Sequence, residues 1–362
     1  RSTFIMQPGQ ALQLENFEPD VEGGYKRIKG YQRHIRHVVP QTSSSDEPVL
    51  LTTTFANKVI AARGQKIFSS ATTSLGTSSS NAIAANDSMT GSGVITVVST
   101  TGFNSSGSLR IDDEQFTYTG VTSTTFTGVT RATNSTTAAI HTASSDTTRT
   151  VVSESWTERD TGRSNASKYS LERFNFDGNS KIVLVDGANA PVVFNTSIAA
   201  TDISESAVAG ASIVTSFREH MFYAGMSSTP QEVVFSVAFD EDNFSSGAGA
   251  GSFKVDDTIV GLKVFRDSLF VFCENRIFKL TGSSSANFAI TPVTRDIGCI
   301  NGKTIQEFAG DLMFLGPDGL RTVAGTARIG DVELGTISSN IQSLFDENIS
   351  NATAFDSVVI PE

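Results

Sequence analysis

The sequence predicts an all-β protein, a β-propeller of about six small sheets or blades with a small β-domain inserted into it. One observation is a phenylalanine that recurs every forty-odd residues, each time ahead of an apolar strand and a turn. Another is composition, because Leu is scarce while Ser, Thr, Gly, Val and Phe are abundant, which favours strands over helices. The third is a single long interruption of the repeat. The recurring residues are Phe174, Phe217, Phe265 and Phe308.

Residues 1–50 are predicted to dock against other subunits and to supply strands that close the propeller. Between Tyr25 and Tyr31, aromatic or aliphatic residues alternate with basic ones, as on a half-exposed strand. Interleaved aromatic and basic side chains favour contact with DNA or an acidic protein, and a merely solvated strand face is the alternative. The candidate subunit or adaptor contacts are Tyr25, Lys26, Arg27, Lys29, Tyr31, Arg33 and Arg36.

The interruption is predicted to be a Ser/Thr-rich β-domain inserted at residues 70–150. A first repeat begins at Phe55, and the distance from there to Phe174 is far longer than one period. Within the insertion, Asp112-Asp113-Glu114 has the composition of a hairpin turn between two strands. The predicted strands are 94–98, 108–111, 115–119 and 125–129.

The propeller is assigned to 51–69 and 151–362. Each copy after the insertion contains a Phe-led hairpin and a further strand that opens on an aliphatic residue. A sixth copy starts at Phe355 and stops at Glu362, so either the chain continues or the N-terminal segment closes the ring. A short helix is predicted at Ser338–Phe345, where three apolar residues share one face.

Charge and cysteine content restrict the function. The net charge of −11 argues against wrapping nucleic acid by phosphate neutralisation. It suits a wall that DNA slides past without adhering, and simple solubility is the alternative. Cys273 and Cys299 are too few for a disulfide framework, which indicates buried thiols and a reducing compartment. No apolar run approaches the roughly 20 residues that a membrane helix needs, and we interpret the start at Arg1 as trimmed or processed.

No catalytic residue, metal site or cofactor is predicted. The carboxylates Asp240-Glu241-Asp242 have the chemistry of an acid–base pair, but a solvated tip on a surface loop is the better interpretation. The Asp112–Glu114 turn lacks the spaced oxygen ligands of a calcium loop. The histidines show no metal-ligand spacing with each other or with either cysteine. They are His34, His37, His141 and His220.

Several short runs carry a resemblance to a known family. The segment from Asn16 to Tyr31 resembles the opening of tail proteins from tailed bacteriophages. Thr294–Ile300 and Phe314–Leu320 resemble the propeller of tail nozzle proteins of short-tailed phages, also described as packaged-DNA stabilisation or tail hub proteins. The insertion is not part of the common nozzle plan. Its runs 101–111, 116–120 and 128–131 are similar to small β-modules in many virion proteins.

The resemblance implies a non-enzymatic structural protein of the phage virion tail, assembled in the host cytoplasm. Six copies would form a ring below the portal and adaptor that extends the DNA channel, retains packaged DNA and supports its ejection. DNA would pass through the lumen without sequence recognition. The implied partners are further copies of the chain, the adaptor and portal, and tail fibre proteins, toward which the insertion would project.

Two other classes of protein remain open. A secreted carbohydrate-binding or adhesive propeller would be monomeric, would carry the insertion as a lectin-like module and would have a signal peptide upstream of Arg1. A propeller hydrolase would show turnover that is lost on changing central carboxylates. The oligomeric state separates the first hypothesis from these two.

Overall fold

A computed structural model of the chain describes residues 17–19, 25–27, 39–40, 47–75, 93–101, 103–112, 114–133, 136–141, 151–323, 347 and 355–357. The chain divides into two compact units, residues 1–36 with 360–362, and residues 37–359. In the first unit, strands β1 (Phe17–Pro19) and β2 (Tyr25–Arg27) pair antiparallel. The second unit contains all the other described strands.

The second unit begins with sheet 1, in which two tight hairpins join β3 (Val49–Phe55), β4 (Lys58–Arg63) and β5 (Lys66–Leu75). The turn between β4 and β5 contains Gly64, whose φ of 56° lies in the left-handed region that glycine adopts without steric cost. These strands confirm the first predicted repeat. From β5 the chain continues into the insertion.

The insertion contains a β-module with a hydrophobic core of its own. A hairpin of two strands and a three-stranded sheet are joined by a single bridge between Thr117 and Thr130. Eight apolar side chains from this segment are buried against one another, including Phe116 and Phe126, which are both fully buried. The four predicted strands are confirmed, with small shifts at their ends, and the short strand β9 is additional to them. The strands of the insertion are β6 (Gly93–Thr96), β7 (Gly107–Ile111), β8 (Glu114–Tyr118), β9 (Gly120–Val121) and β10 (Thr125–Val129).

Strand β11 (Val151–Thr161) returns from the module to sheet 1. It pairs with β5 from Leu75–Val151 at one end to Lys66–Thr161 at the other, which makes a long two-stranded arm. On its other edge β11 pairs with β7 of the module. The strand order of sheet 1 is therefore β3-β4-β5-β11-β7-β8, and the β7–β8 hairpin lies at the edge opposite β3.

Four further sheets follow, each an antiparallel meander in which consecutive strands are neighbours. Sheet 2 contains β12 (Ser170–Phe176), β13 (Asn179–Val185), β14 (Val192–Asn195) and β15 (Ala200–Asp202). Sheet 3 contains β16 (Ile213–Phe217), β17 (His220–Ala224), β18 (Glu232–Phe235) and β19 (Gly251–Lys254). Sheet 4 contains β20 (Ile259–Phe265), β21 (Ser268–Cys273), β22 (Ile277–Thr281) and β23 (Ala289–Thr294). Sheet 5 contains β24 (Gln306–Phe308), β25 (Asp311–Gly316) and β26 (Gly319–Thr322).

Short 3-10 helices lie in the connections of these sheets. They are Ser206–Val208, Ser246–Ala248, Ser285–Asn287 and Gly302–Thr304. A search of the described residues finds no helix with the length and apolar character that crossing a membrane requires.

A phenylalanine ends the first strand of each of these five sheets, directly before a two-residue hairpin turn. The pairs that flank the turns are Phe55–Lys58, Phe176–Asn179, Phe217–His220, Phe265–Ser268 and Phe308–Asp311. In four of the turns both central residues have positive φ, as type I′ turns require to match the right-handed twist of the strands. The predicted repeat is confirmed with one correction. In sheet 2 the equivalent residue is Phe176 and not Phe174, because the hairpin begins two residues later.

Neighbouring sheets bury their apolar faces against each other. On β13, Ile182 and Leu184 pack toward sheet 1, whereas Val183 and Val185 pack toward sheet 3. The same alternation divides β17 between sheets 2 and 4, and β21 between sheets 3 and 5. The second strand is therefore buried on both faces, which explains its continuous apolar sequence. The described chain is all-β, with several four-stranded antiparallel sheets of the β-propeller type, as the sequence predicts.

Two predicted elements fall mainly outside the described residues. The helix at 338–345 lies entirely outside them, as does most of the sixth copy. Of that copy, Phe355 accepts a hydrogen bond from Asn301 Nδ2 at 2.7 Å, ahead of β24.

Candidate functional site

The predicted docking strand is described in part. Tyr25, Lys26 and Arg27 form β2, with Lys26 opposite Glu18 and Arg27 opposite Phe17. The Arg27 side chain is exposed. The remaining predicted contacts, Lys29, Tyr31, Arg33 and Arg36, lie outside the described residues. The strand is thus confirmed as local structure, and its role in docking stays a prediction.

A central cavity of about 930 Å³ lies among the first strands of the sheets. Its lining comes from all five sheets or from the residues just before them, and β16 contacts both β12 and β20. Sheets arranged around one cavity, with their first strands innermost, are the radial arrangement of a propeller. The lining segments are 49–52, 167–171, 212–214, 259–263, 300–303, 305–306 and 356–357.

The described lining of this central cavity carries more positive than negative charge. The lining contains Lys168, Lys263 and Lys303 but one carboxylate, Asp356, which accepts a hydrogen bond from Lys168 Nζ at 2.7 Å. Burial lowers the pKa of Lys303, and the charge of Lys168 lowers it further while Asp356 opposes the change. The described lining therefore has the excess of positive charge that suits a site for anions.

Residues 355–357 are held at the rim of the central cavity by sheet 5 and by Lys168. Gln306 Nε2 donates to the Ser357 carbonyl at 2.8 Å, and the Ser357 amide donates to the Lys303 carbonyl at 3.3 Å. Because Lys168 precedes sheet 2 and Lys303 precedes sheet 5, these contacts connect sheet 5 with the segment that leads into sheet 2 across the cavity.

The acidic loop after sheet 3's third strand is solvated only in part. The interpretation as a solvated tip is wrong for Glu241, whereas Asp242 is exposed. Glu241 is buried and forms an ion pair with Lys181 of sheet 2. A hydrogen bond with Asp240 raises the pKa of Asp242, and burial and the neighbouring carboxylates add to the increase. Since Lys181 is distant in sequence, no local pattern predicts the pair. The loop is an ionic contact between sheets 2 and 3.

The cysteines are buried and free, as predicted. The Cys299 amide donates to the Cys273 carbonyl at 2.9 Å, yet the two side chains belong to cores on opposite faces of sheet 4. Burial raises the pKa of Cys273 to about 12 and that of Cys299 to about 11. Both thiols are therefore protonated and unreactive at neutral pH.

Histidines lie in two buried settings. His220 Nδ1 donates to the Ser236 carbonyl at 2.6 Å, within a group of phenylalanine rings. His141 lies in the module between two carboxylates. His34 and His37 are outside the described residues, and within the described part no group of three or more His, Cys, Asp or Glu is arranged to hold a metal ion.

An ion cluster in the module was not predicted from the sequence. Glu114, placed in a bare hairpin turn by the sequence pattern, has a fully buried side chain. It forms a two-point contact with Arg131, at 2.9 Å to Nε and 2.7 Å to Nη2, and it contacts His141 Nε2 at 3.0 Å. The three residues are separated by stretches without a recognisable motif, so only the folded module brings them together.

The two propeller runs that carry the phage resemblance meet at the junction of sheets 4 and 5. The Ile300 amide donates to the Leu315 carbonyl at 2.9 Å. Gly298 crosses the backbone of Glu274 so closely that a Cβ would lie 2.3 Å from its carbonyl carbon. These residues thus form the crossing between two blades, which is an architectural role.

Comparisons with known proteins give a structural likeness alone. No known family and no curated protein matches the sequence. Similar solved structures include the phage phi92 endosialidase (13% identity, 74% of this chain and 52% of that chain, TM-score 0.34). A nidogen/laminin complex (8% identity, 66% and 88%, TM-score 0.33) and Kluyveromyces lactis Hsv2 (7% identity, 80% and 79%, TM-score 0.31) are others. The chain spans about half the length of the endosialidase chain, and all three are β-propeller proteins.

Proposed function

We propose that the protein is a structural component of a phage tail, a nozzle subunit of which six copies form a ring. The ring extends the portal–adaptor channel, retains packaged DNA and supports its ejection. One observation carries the proposal. The runs Thr294–Ile300 and Phe314–Leu320, which resemble nozzle proteins, hydrogen-bond to each other in one blade junction.

The architecture suits such a role physically. The sheets bury their faces against one another, which makes a rigid wall. With a net charge of −11, a wall of this composition repels DNA and lets it slide past. The β7–β8 hairpin extends the outer edge of sheet 1, so the module is presented away from the central cavity, where fibres or a host surface are accessible.

Oligomeric state tests the proposal directly. Native mass spectrometry and electron microscopy would examine the full chain alone and after mixing with phage particles that lack it. We expect rings of six, either in solution or templated on the particle, because heterologous contacts around an axis close on themselves. A chain that stays monomeric in solution and does not join the particles would overturn the proposal.

The docking strand has a matched test. Arg27→Glu reverses an exposed charge on β2, whereas Lys254→Glu reverses an exposed charge on β19. If β2 docks against an adaptor, Arg27→Glu weakens incorporation by about tenfold, and Lys254→Glu leaves it unchanged. Equal effects of the two variants on incorporation would show that β2 does not lie in the interface.

The insertion can be deleted cleanly. Leu75 and Val151 are directly opposite in the arm, so an Asn-Gly turn in place of residues 76–150 closes a hairpin. We expect unchanged ring assembly and reduced attachment to fibres or host cells. Unchanged attachment would contradict the outward role of the module.

A carbohydrate-binding propeller is the second candidate, and the central cavity favours it. Three lysines with one carboxylate fit an acidic sugar better than a neutral one. This function would be supported over the first if the monomer bound glycans on an array and if Lys263→Met and Lys303→Met abolished that binding.

A further inference from the structure

His141 closes the module by contacting two carboxylates at once. Its ring is buried, with 1% of the side chain exposed. Nδ1 lies 2.9 Å from Asp112 Oδ2, and Nε2 lies 3.0 Å from Glu114 Oε2. Ionised carboxylates only accept hydrogen bonds, so both contacts are satisfied together only by an imidazolium that donates from both nitrogens. In a neutral ring one of the two nitrogens carries a lone pair, and that lone pair would face a carboxylate oxygen.

The remaining partners of Glu114 are also donors. Arg131 donates from Nε and Nη2, and the amides of Ala132 and Ala139 donate at 3.1 and 2.9 Å. Arg131 also donates to the Ala139 carbonyl at 2.5 Å. With His141 charged, Glu114, whose side chain is fully buried, contacts two cations. With His141 neutral, Glu114 loses one of the charged donors that stabilise it away from water.

The cluster holds the segment through which the chain leaves the module. Residues 136–141 contain Ala139 and His141, and both attach to the β7–β8 hairpin through Glu114. The hairpin pairs in turn with β11 of the arm. Releasing this segment would free the end of the module while leaving its apolar core, to which residues 136–141 contribute no side chain, in place.

We propose that His141 is a proton-dependent clasp that fixes residues 136–141 on the β7–β8 hairpin, and that loss of its proton releases them. The described charged groups that face it are Asp112 from the turn, Glu114 from β8 and Arg131 from the residues after β10, with the Phe116 ring edge-on at 5.8 Å. The inference is independent of the nozzle proposal.

Glu114 and His141 must both be charged for the clasp to close. Both His141 contacts require a ring that donates from both nitrogens. Burial alone would raise the pKa of Glu114, but hydrogen bonds from Arg131, Ala139, His141 and Ala132 hold it below its ordinary value. The Glu114 contribution is therefore lost only as pH falls through that lowered pKa.

Hydrogen exchange of the full chain from pH 5.5 to 9, corrected for intrinsic rates, tests the clasp. We expect the Ala139 amide to exchange at least about tenfold faster at the alkaline end, because a hydrogen-bonded charged group is lost. His141→Gln is expected to exchange fast at every pH. His220→Gln, which removes a buried histidine that faces a carbonyl, leaves the module's pH dependence unchanged.

Two outcomes would overturn the proposal. One is Ala139 protection in the unmodified chain that does not change between pH 6 and 9. The other is a pH dependence that persists in His141→Gln. If His141→Gln does not fold, the unmodified chain still decides, since NMR of the His141 ring must show its deprotonation coinciding with loss of Ala139 protection.

Discussion

The propeller sheets and the inserted module solve the problem of burying apolar surface in different ways. In the propeller, β13, β17 and β21 are buried on both faces, and each core is shared between neighbouring sheets. In the module, eight apolar side chains pack on one another within a single short segment, and a buried ion cluster closes it. Among the residues that the structure describes, no propeller side chain belongs to the module's core.

This difference predicts different cooperativity. A sheet in the propeller has no core without its neighbours, so damage at one interface spreads along the series. The module carries its own core and is joined to sheet 1 through the β5–β11 arm and its ladder to β7. We therefore expect two unfolding transitions, one for each region.

The largest effects should come from removing a core ring in each region. Phe222→Ala, between sheets 3 and 4, and Phe126→Ala, in the module, each leave a large cavity at a fully buried site. Each should lower the free energy of unfolding of its own region by about 4 kcal/mol. Both cysteines lie in the propeller, so thiol labelling during denaturation follows that region alone.

The expectation of two separate transitions is wrong if Phe126→Ala accelerates labelling of Cys273 as much as Phe222→Ala does. That result would mean that the module and the sheets unfold as one cooperative body. Selective acceleration by Phe222→Ala would support two separate transitions.

Buried arginines give the next largest effect. Arg163 bonds Asp160, Asp202 and the Ala190 carbonyl in the propeller, and Arg131 bonds Glu114 in the module. Replacing either with Gln removes the arginine charge that these carboxylates contact and should cost about 3 kcal/mol. Urea denaturation with thiol labelling should detect the loss for Arg163→Gln. For Arg131→Gln, a shift in Cys273 labelling would contradict the separation of the regions.

The sequence predicts the features that depend on neighbouring residues. The apolar strand that follows each of Phe55, Phe217, Phe265 and Phe308 and the strands inside the insertion follow from local apolar patterns and turn composition. The two-residue hairpin turn between each phenylalanine and that strand is a structural finding. The register of sheet 2 does not follow, because Phe174 and Phe176 are both aromatic and both buried. Only the Asp177-Gly178 turn selects between them, since Asp-Gly is a type I′ signal.

The candidate sites depend on long-range contacts and are correspondingly harder to predict. The Gly-rich, acidic composition of its loop predicts that Glu241 is solvated, yet its carboxylate forms an ion pair with Lys181 of another sheet. The sequence likewise gives no reason to connect Glu114 with His141. Side chains that are charged and buried must find partners, and the chain supplies these from distant positions.

A glycine at the junction of sheets 4 and 5 should show how tightly the blades cross. In Gly298→Ala the new Cβ would overlap the Glu274 backbone, which has no flexible side-chain end to yield. We expect a loss of about 2 kcal/mol in the propeller transition. Gly247→Ala is the control, since a Cβ there meets nothing within 4 Å. Equal stability of the two variants would mean that the crossing is loose.

The smallest effects distinguish the hairpin turns within the propeller. Sheet 2 has Gly178 at the second turn position, with φ of 78°, whereas sheet 3 has Glu219 there, with φ of 62°. Glycine adopts this conformation without steric cost, and its greater freedom in the unfolded chain offsets only part of that gain. Glu219→Gly should therefore stabilise the propeller by about 0.5 kcal/mol. Gly178→Ala should destabilise it by about 1 kcal/mol, although a Cβ there has open space around it. Because neither change alters a packed contact, the two effects measure backbone strain in the turn against the freedom of the unfolded chain. The measurement is the urea midpoint of the propeller transition. If the midpoint shifts in the same direction for both variants, the two turns are not equivalent positions of one repeat.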